Sequence, residues 1–274
     1  MKVRLMIFLL TVFFAAACNN NNDSPARDSE SSVVEDHIPP PVLISYQLLN
    51  QFPHDTLSFT EGLTFYNGQL YESTGAPDDP ATNHTWVGPV DLKTGSFEKK
   101  IDLGKKYFGE GITFLNDKMY QLTWKSQTGF VYDARTFKKI KNFSFKSEGW
   151  GLTNDGTNLI MSTGSSNLYF LDPDSMAFVK MLPVQDNNGY VSNLNELEFV
   201  NGSIYANHWL TSEILKIDPA SGHVVAKLDL GSIVKEIKTK YPNAEEMNGI
   251  AYDSSSKKTY ITGKKWPFIY QIAW

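Results

Sequence analysis

The sequence FGEGITFLNDKMYQLTW, residues 108–124, predicts a β-hairpin. An apolar strand over 112–115 is followed by a polar Asn-Asp-Lys turn at 116–118 and a second strand over 119–124. Glu110 stands just before the first strand and Trp124 ends the second. Because a hairpin brings those two positions to one end, we expect a carboxylate and an indole to lie together there.

The same signal recurs along the chain. Each copy starts with one short motif, found at 61–64 (EGLT), 110–113 (EGIT), 150–153 (WGLT), 195–198 (NELE) and 248–251 (NGIA). A polar turn and a second apolar run follow each motif, and a third run in most copies ends at an aspartate turn such as 91–95 (DLKTG). A period of about 40 to 53 residues with several strands per copy is typical of β-propeller blades.

Five copies predict an all-β, five-bladed β-propeller. The fifth ends at Trp274 after its third strand, and residues 42–51 (VLISYQLLNQ) precede the first copy without a partner. Pairing this N-terminal strand with the last blade would close the ring and remove both open sheet edges. Residues 233–240 are the only helical candidate.

Composition limits the functional classes. The chain has 274 residues, 41% hydrophobic and 13% aromatic, which is enough for one domain with a substantial core. The net charge is −5 without a basic cluster, so we expect no nucleic-acid partner. A monomer is expected.

The N-terminus predicts export and lipidation. Residues 1–17 carry Lys2 and Arg4 ahead of an apolar run that is shorter than a typical transmembrane helix. Small residues then precede Cys18, the single cysteine, which we interpret as a lipid attachment point. We expect residues 18–41 to form a flexible tether and residues 42–274 to form the folded domain. We therefore expect an exported bacterial lipoprotein anchored to a membrane, on the periplasmic side or the cell surface.

Equivalent positions of successive blades converge at one mouth of a propeller. The residues that open the five motifs are Glu61, Glu110, Trp150, Asn195 and Asn248, and the second strands end at Trp124, Trp209 and the run 264–266 (KKW). The mouth would then form a pocket lined by carboxylates, amides, indoles and one or two ammonium groups. Such groups can simply line a hydrated channel, but so large an apolar lining favours a ligand site.

Several segments resemble the plant and bacterial glutaminyl cyclase (glutamine cyclotransferase) family. They are 59–63 (FTEGL), 71–75 (YESTG), 108–113 (FGEGIT), 120–125 (YQLTWK), 148–153 (EGWGLT), 194–198 (LNELE), 204–207 (IYAN), 248–253 (NGIAYD) and 262–267 (TGKKWP). The resemblance implies a five-bladed propeller that converts N-terminal glutaminyl residues of peptides and proteins to pyroglutamyl residues and releases ammonia. It implies no catalytic zinc and no cofactor.

The resemblance also implies site residues. It places the essential acid on Glu110, an amide on Asn195 and a lysine on Lys265. The substrate-binding set that we expect is Phe59, Glu61, Trp124, Trp150, Trp209 and Asn248, with Glu61 standing where many members of the family have Gln. Residues 75–91, with Asp-Asp-Pro at 78–80, depart from the family pattern, so the peptide preference is open.

The residue types suit an intramolecular cyclisation. One carboxyl group can take the proton of the attacking amine and pass it to the departing amide nitrogen. Two other classes stay open: a metal-dependent lactonase or esterase that uses Glu61, Glu110, Asn195 and Asn248 as ligands, and a non-catalytic peptide- or glycan-binding propeller.

Overall fold

The computed structural model describes residues 38–75 and 84–274. Most of this part of the chain forms antiparallel β-strands. In chain order the elements are β1 (Val42–Ile44), β2 (Gln47–Pro53), β3 (Thr60–Tyr66), β4 (Gln69–Thr74), β5 (Thr85–Val90), β6 (Ile101–Gly104), β7 (Gly109–Leu115), β8 (Lys118–Thr123), β9 (Thr128–Asp133), β10 (Lys139–Ser144), β11 (Leu152–Asn154), β12 (Leu159–Met161), β13 (Asn167–Leu171), β14 (Phe178–Pro183), β15 (Gln185–Asp186), β16 (Gly189–Tyr190), β17 (Leu194–Val200), β18 (Ser203–His208), β19 (Glu213–Ile217), β20 (Val224–Asp229), α1 (Gly231–Lys240), β21 (Met247–Asp253), β22 (Lys258–Gly263) and β23 (Phe268–Ala273).

Each repeat forms one sheet with its strands hydrogen-bonded in chain order. The sheets are β3-β4-β5-β6, β7-β8-β9-β10, β11-β12-β13-β14, β17-β18-β19-β20 and β21-β22-β23. The first strand of each sheet packs against the first strands of the neighbouring sheets, so these five strands surround the axis. The prediction of a five-bladed propeller is confirmed.

The N-terminal segment closes the ring as predicted. Strand β2 pairs antiparallel with β23, from Gln47 opposite Ala273 to Pro53 opposite Phe268, and supplies the missing fourth strand of the last blade. The shorter β1 goes elsewhere: it pairs in parallel with β20 of the fourth blade, with Val42 opposite Ala226. The segment 42–51 therefore covers the outer edges of two blades, which leaves fewer unpaired backbone groups exposed.

The repeated glycine marks where inner strands approach most closely. A Cβ atom added at Gly62 would lie 2.9 Å from the Ile112 nitrogen, and one at Gly111 would lie 2.4 Å from the Leu152 nitrogen. Both distances are too short for a side chain, so glycine is needed for the blades to meet near the axis.

The fourth blade has Glu196 at that repeat position, and its side chain lies between blades. Its two carboxyl oxygens accept hydrogen bonds from the backbone nitrogens of Leu63, at 3.1 Å, and Ile250, at 2.8 Å. Two residues further along the strand, Glu198 Oε1 accepts the Tyr252 nitrogen at 2.8 Å. Burial raises the pKa of Glu198 to about 8, even though the bonds from Tyr252 and Thr153 act against this. Two buried acids thus join the inner strands.

Turn chemistry follows the sequence signals. Asn116 and Asp117 both have positive φ angles, 51° and 56°, as the tight turn between β7 and β8 requires. At the aspartate turns the carboxylate binds the next backbone amides; Asp133 Oδ1, for example, accepts the Thr136 nitrogen at 2.7 Å.

Helix α1 confirms the helical candidate. Its buried residues Ile233 and Ile237 pack in the same apolar cluster as Trp266 and Tyr270 of the last blade. Within residues 38–75 and 84–274, no helix is both long and apolar enough to cross a bilayer.

Candidate active site at one mouth of the ring

The β7–β8 hairpin brings an acid and an indole to the same end of the second blade. Gly109 pairs with Thr123, and the Trp124 nitrogen donates to the Phe108 oxygen at 3.0 Å. Glu110 lies inside β7 rather than before it, and its side chain is 5% exposed. Trp124 follows β8 and is partly exposed.

Glu61 of the first blade lies beside a buried ammonium group. Lys264 Nζ is 2.8 Å from Glu61 Oε1, with the two side chains 9% and 3% exposed. Asn248 Nδ2 of the last blade donates to the other oxygen of Glu61 at 3.0 Å. Burial raises the pKa of Glu61 to about 7, although the charge of Lys264 acts to lower it. Glu61 is therefore a carboxyl group that titrates near neutral pH.

Its surroundings favour the neutral form of Glu110. Burial raises its pKa well above the ordinary value, the negative charges of Glu61 and Glu148 add to this, and Lys264 opposes it. The same Lys264 has a raised pKa, because its attraction to Glu61 and Glu110 outweighs the cost of burial. The site therefore combines an ammonium group with two acids whose neutral forms are favoured by burial.

The lysine expected from sequence was Lys265, but the ammonium group that meets Glu61 is that of Lys264. Lys265 Nζ is instead 2.8 Å from Glu245 Oε1. Both amines lie over the Phe59 ring, at 4.7 Å for Lys264 and 5.7 Å for Lys265. Strand β22 ends at Gly263 and Lys265 has a φ of 58°, so the alternation of a strand does not extend over these residues.

Aromatic rings form a wall beside the carboxyl groups. Trp150 and Trp209 meet edge to face at 5.4 Å. Phe108 packs against Trp124 at 5.3 Å and against Phe59 at 6.0 Å. All five rings are partly exposed, so they can contact a ligand.

Glu148 joins the two halves of this wall. Its Oε2 atom accepts the Trp124 indole N–H at 2.8 Å and the Trp150 indole N–H at 3.0 Å. One carboxylate oxygen thereby sets the spacing of two rings from different blades. Sequence analysis did not assign Glu148 or Phe108 to the site, although a carboxylate two residues before Trp150 was an available signal.

Two amides at the mouth have unused hydrogen-bonding capacity. Asn195 is 3% exposed and Asn248 is fully buried. Neither Asn195 Oδ1 nor Asn248 Oδ1 has a hydrogen-bond partner among the described residues. Buried amide oxygens normally accept hydrogen bonds, so these positions suit a group that a substrate or ordered water brings.

Of the four residues that the metal-dependent alternative would use, Glu61 is already engaged. Glu61 binds Lys264 and Asn248, so an ammonium group already lies where a cation would need this carboxylate. In the part of the chain that the structure describes, no group of three or more His, Cys, Asp or Glu side chains is arranged to hold a metal ion. Residues 78–80 of the divergent loop and Cys18 lie outside the described residues.

Similarity to known proteins identifies the family. The family model for glutamine cyclotransferase matches residues 14–274. A glutaminyl-peptide cyclotransferase of Arabidopsis thaliana is 38% identical over 229 residues, which cover 82% of this chain and 70% of that protein. The crystal structure of Myxococcus xanthus glutaminyl cyclase matches with a TM-score of 0.77 and 32% identity, over 85% of this chain and 97% of that one. With its blades, its buried acids and its wall of indoles, this chain belongs to the glutamine cyclotransferase family.

Proposed function

We propose that this protein is a glutaminyl-peptide cyclotransferase that converts N-terminal glutaminyl residues to pyroglutamyl residues with release of ammonia. The observation that carries the proposal is the buried cluster of Glu110, Glu61 and Lys264 beside partly exposed indoles. Such a cluster would offer a proton donor, a proton acceptor and a positive charge beside the wall of aromatic rings. The similarity to the two cyclases supports the assignment.

The reaction needs a proton to move between two nitrogen atoms. The substrate's α-amine, with a reference pKa of about 8, attacks the side-chain amide carbon as the neutral form. A new C–N bond forms, and the original C–N bond breaks once the leaving nitrogen has been protonated. The raised pKa of Glu110 favours its protonated form, which can give its proton to the leaving nitrogen and then take one from the attacking nitrogen. The acid is thereby restored, and ammonia leaves.

The surrounding groups favour the folded-back substrate. Trp124, Trp150 and Trp209 can enclose the glutaminyl side chain and exclude water, which holds amine and amide together for ring closure. The Lys264 ammonium group and the Asn195 amide can donate to the oxygen that becomes negative in the tetrahedral intermediate. We assign Lys264 this role in place of Lys265, because Lys264 contacts Glu61. Phe59, Glu61 and Asn248 complete the proposed substrate-binding set.

A coupled assay for ammonia with a Gln-initiated dipeptide tests this function. We expect turnover that a chelator does not change, and a loss of about a thousandfold or more in Glu110→Gln with the fold retained, because Gln cannot give or take the proton that moves between the two nitrogen atoms. Glu236→Gln, an exposed change on α1, is the matched control. Hydrolysis of a lactone or ester that a chelator abolishes, without ammonia release from the dipeptide, would support the lactonase class instead, and peptide binding without ammonia would support a binding propeller.

We further propose that the protein is an exported bacterial lipoprotein, anchored through Cys18 and acting as a monomer on the periplasmic side or the cell surface. The support is the sequence of residues 1–41 alone, of which 1–37 lie outside the described residues. Cys18→Ala should move the protein from the membrane fraction to the soluble fraction and abolish labelling by a fatty-acid analogue. Unchanged membrane association would refute the anchor, and sedimentation of the domain tests the monomer.

A further inference from the structure

A buried histidine–carboxylate pair lies at the junction of the last and first blades, and the proposed reaction does not use it. His54 follows β2, Glu72 lies on β4, and each side chain is 1% exposed. His54 Nε2 is 3.1 Å from Glu72 Oε1 and 3.2 Å from Oε2.

The geometry requires an extra proton in this pair. His54 Nδ1 is 2.8 Å from the Trp266 carbonyl oxygen, which can only accept, so Nδ1 carries a hydrogen. The other ring nitrogen, Nε2, faces Glu72. If the ring were neutral, the Nε2 lone pair would point at the negative oxygens of the carboxylate, which is repulsive. One more proton must therefore lie between Nε2 and Glu72. Hydroxyl groups of Thr60, at 2.6 Å, and Ser58, at 3.3 Å, donate to Glu72, which favours a carboxylate beside an imidazolium.

The electrostatic surroundings agree with that proton count. Burial opposes a charge on the ring, but the charge and hydrogen bond of Glu72, the Trp266 carbonyl and Asp55 together raise the pKa of His54 above its ordinary value. The turn packed against the ring carries Lys264 and Lys265, whose ammonium groups bind other carboxylates.

The turn that His54 holds is the one that carries the site lysine. Residues 264–267 connect β22 to β23, and this turn meets the start of the first blade through backbone hydrogen bonds. The His54 nitrogen donates to the Pro267 oxygen at 2.9 Å, and the Lys265 nitrogen donates to the Ser58 oxygen at 2.7 Å. Lys265 has a left-handed backbone conformation, with φ at 58°. This conformation costs energy and persists only where the surrounding structure holds it in place.

We propose that His54 and Glu72 are positioning residues: their shared proton fixes the 264–267 turn and thereby places the Lys264 ammonium group on Glu61. When the ring loses this proton as pH rises, its lone pair faces the carboxylate and the turn loosens. The contribution is present while the ring carries the proton and is lost as pH rises through the raised pKa of His54. The kinetic part of this inference rests on the proposed function.

Three variants test the pair. His54→Ala should lower kcat by about tenfold to a hundredfold, the range expected when a catalytic group is displaced by about an ångström. Glu72→Ala should do the same. Glu72→Gln should rescue kcat to within about threefold of wild type and remove the fall in kcat that wild type shows as His54 loses its proton, because a Gln amide can donate to a neutral His54 and keep the contact without the extra proton.

A double-variant comparison separates positioning from general destabilisation. If His54 acts through Lys264, then His54→Ala combined with Lys264→Met should be no slower than Lys264→Met alone. Multiplied losses would overturn the proposal, as would an imidazole ¹⁵N spectrum showing one protonated nitrogen in wild type at neutral pH.

The proposal can also be tested if the chain proves to have no cyclase activity. Amide hydrogen exchange over residues 264–266 should be faster in His54→Ala than in wild type and close to wild type in Glu72→Gln. Unchanged exchange in His54→Ala would refute the role of the pair, whereas absent ammonia release in wild type would refute the proposed function alone.

Discussion

Replacing Glu198 by Gln should make the protein more stable at alkaline pH. Glu198 is 7% exposed, and its folded-state pKa is about 8 against an ordinary value of 4.5. As pH rises above 4.5 the unfolded chain ionises before the folded one, so stability falls up to about pH 8. Gln removes this titration, and its side-chain oxygen can still accept the Tyr252 nitrogen.

The size of the effect follows from the two pKa values. Between the two pKa values, each pH unit lowers the free energy of unfolding by about 1.4 kcal/mol. The ionisation of Glu198 therefore lowers the free energy of unfolding by about 4 kcal/mol at pH 8 and by about 1 kcal/mol at pH 5. The advantage of Glu198→Gln over wild type should therefore grow by about 3 kcal/mol between these pH values. Glu198 also raises the pKa of Glu196 by like-charge repulsion, so the variant relieves that group in the same direction.

Urea unfolding at pH 5 and pH 8 measures this difference directly. Glu236→Gln is the control, because Glu236 forms an exposed pair with Lys240 and should change stability by less than about 0.5 kcal/mol. A stability difference between Glu198→Gln and wild type that is the same at both pH values would show that the carboxylate ionises without cost, and the argument from burial would fail.

Three further predictions test the site and the ring. Lys264→Met should lower kcat about tenfold to a hundredfold, because a hydrogen bond to a charged group contributes roughly 1.5–3 kcal/mol. Lys265→Met should lower kcat less than about threefold. Equal losses in steady-state kinetics would contradict our choice of lysine. Glu148→Ala should release the indoles of the wall and raise KM for Gln-peptides more than Glu148→Gln, which keeps an acceptor; identical KM values would refute this role. Gly111→Ala should destabilise the ring by about 1–3 kcal/mol, since its Cβ would lie 2.4 Å from the Leu152 nitrogen, and an unchanged melting temperature would contradict the close approach of the inner strands.

Most of the fold could be predicted because its signals are local. Alternating apolar runs, Asn-Asp turns and the recurring glycine each depend on a few neighbouring residues, and their repetition indicated both the number of blades and the need for a closing strand. The division of that closing segment between β1 and β2 was not predicted, because it depends on which blade edge each part reaches.

The candidate site likewise has a part that local sequence predicts and a part that it does not. Glu110 and Trp124 could be placed at one end of a hairpin because the chain between them forms that hairpin. The pairing of Lys264 with Glu61 could not, because these residues come from opposite ends of the domain and a left-handed residue follows the lysine.

The sequence by itself determined the repeat, the ring and the kinds of side chain at its mouth, since these depend on local pattern. Only the tertiary structure decided which of two adjacent lysines meets the buried acids, that Glu148 holds two indoles, and that His54 shares a proton with Glu72. The physical reason is that burial and ring closure set these contacts and the pKa values that accompany them.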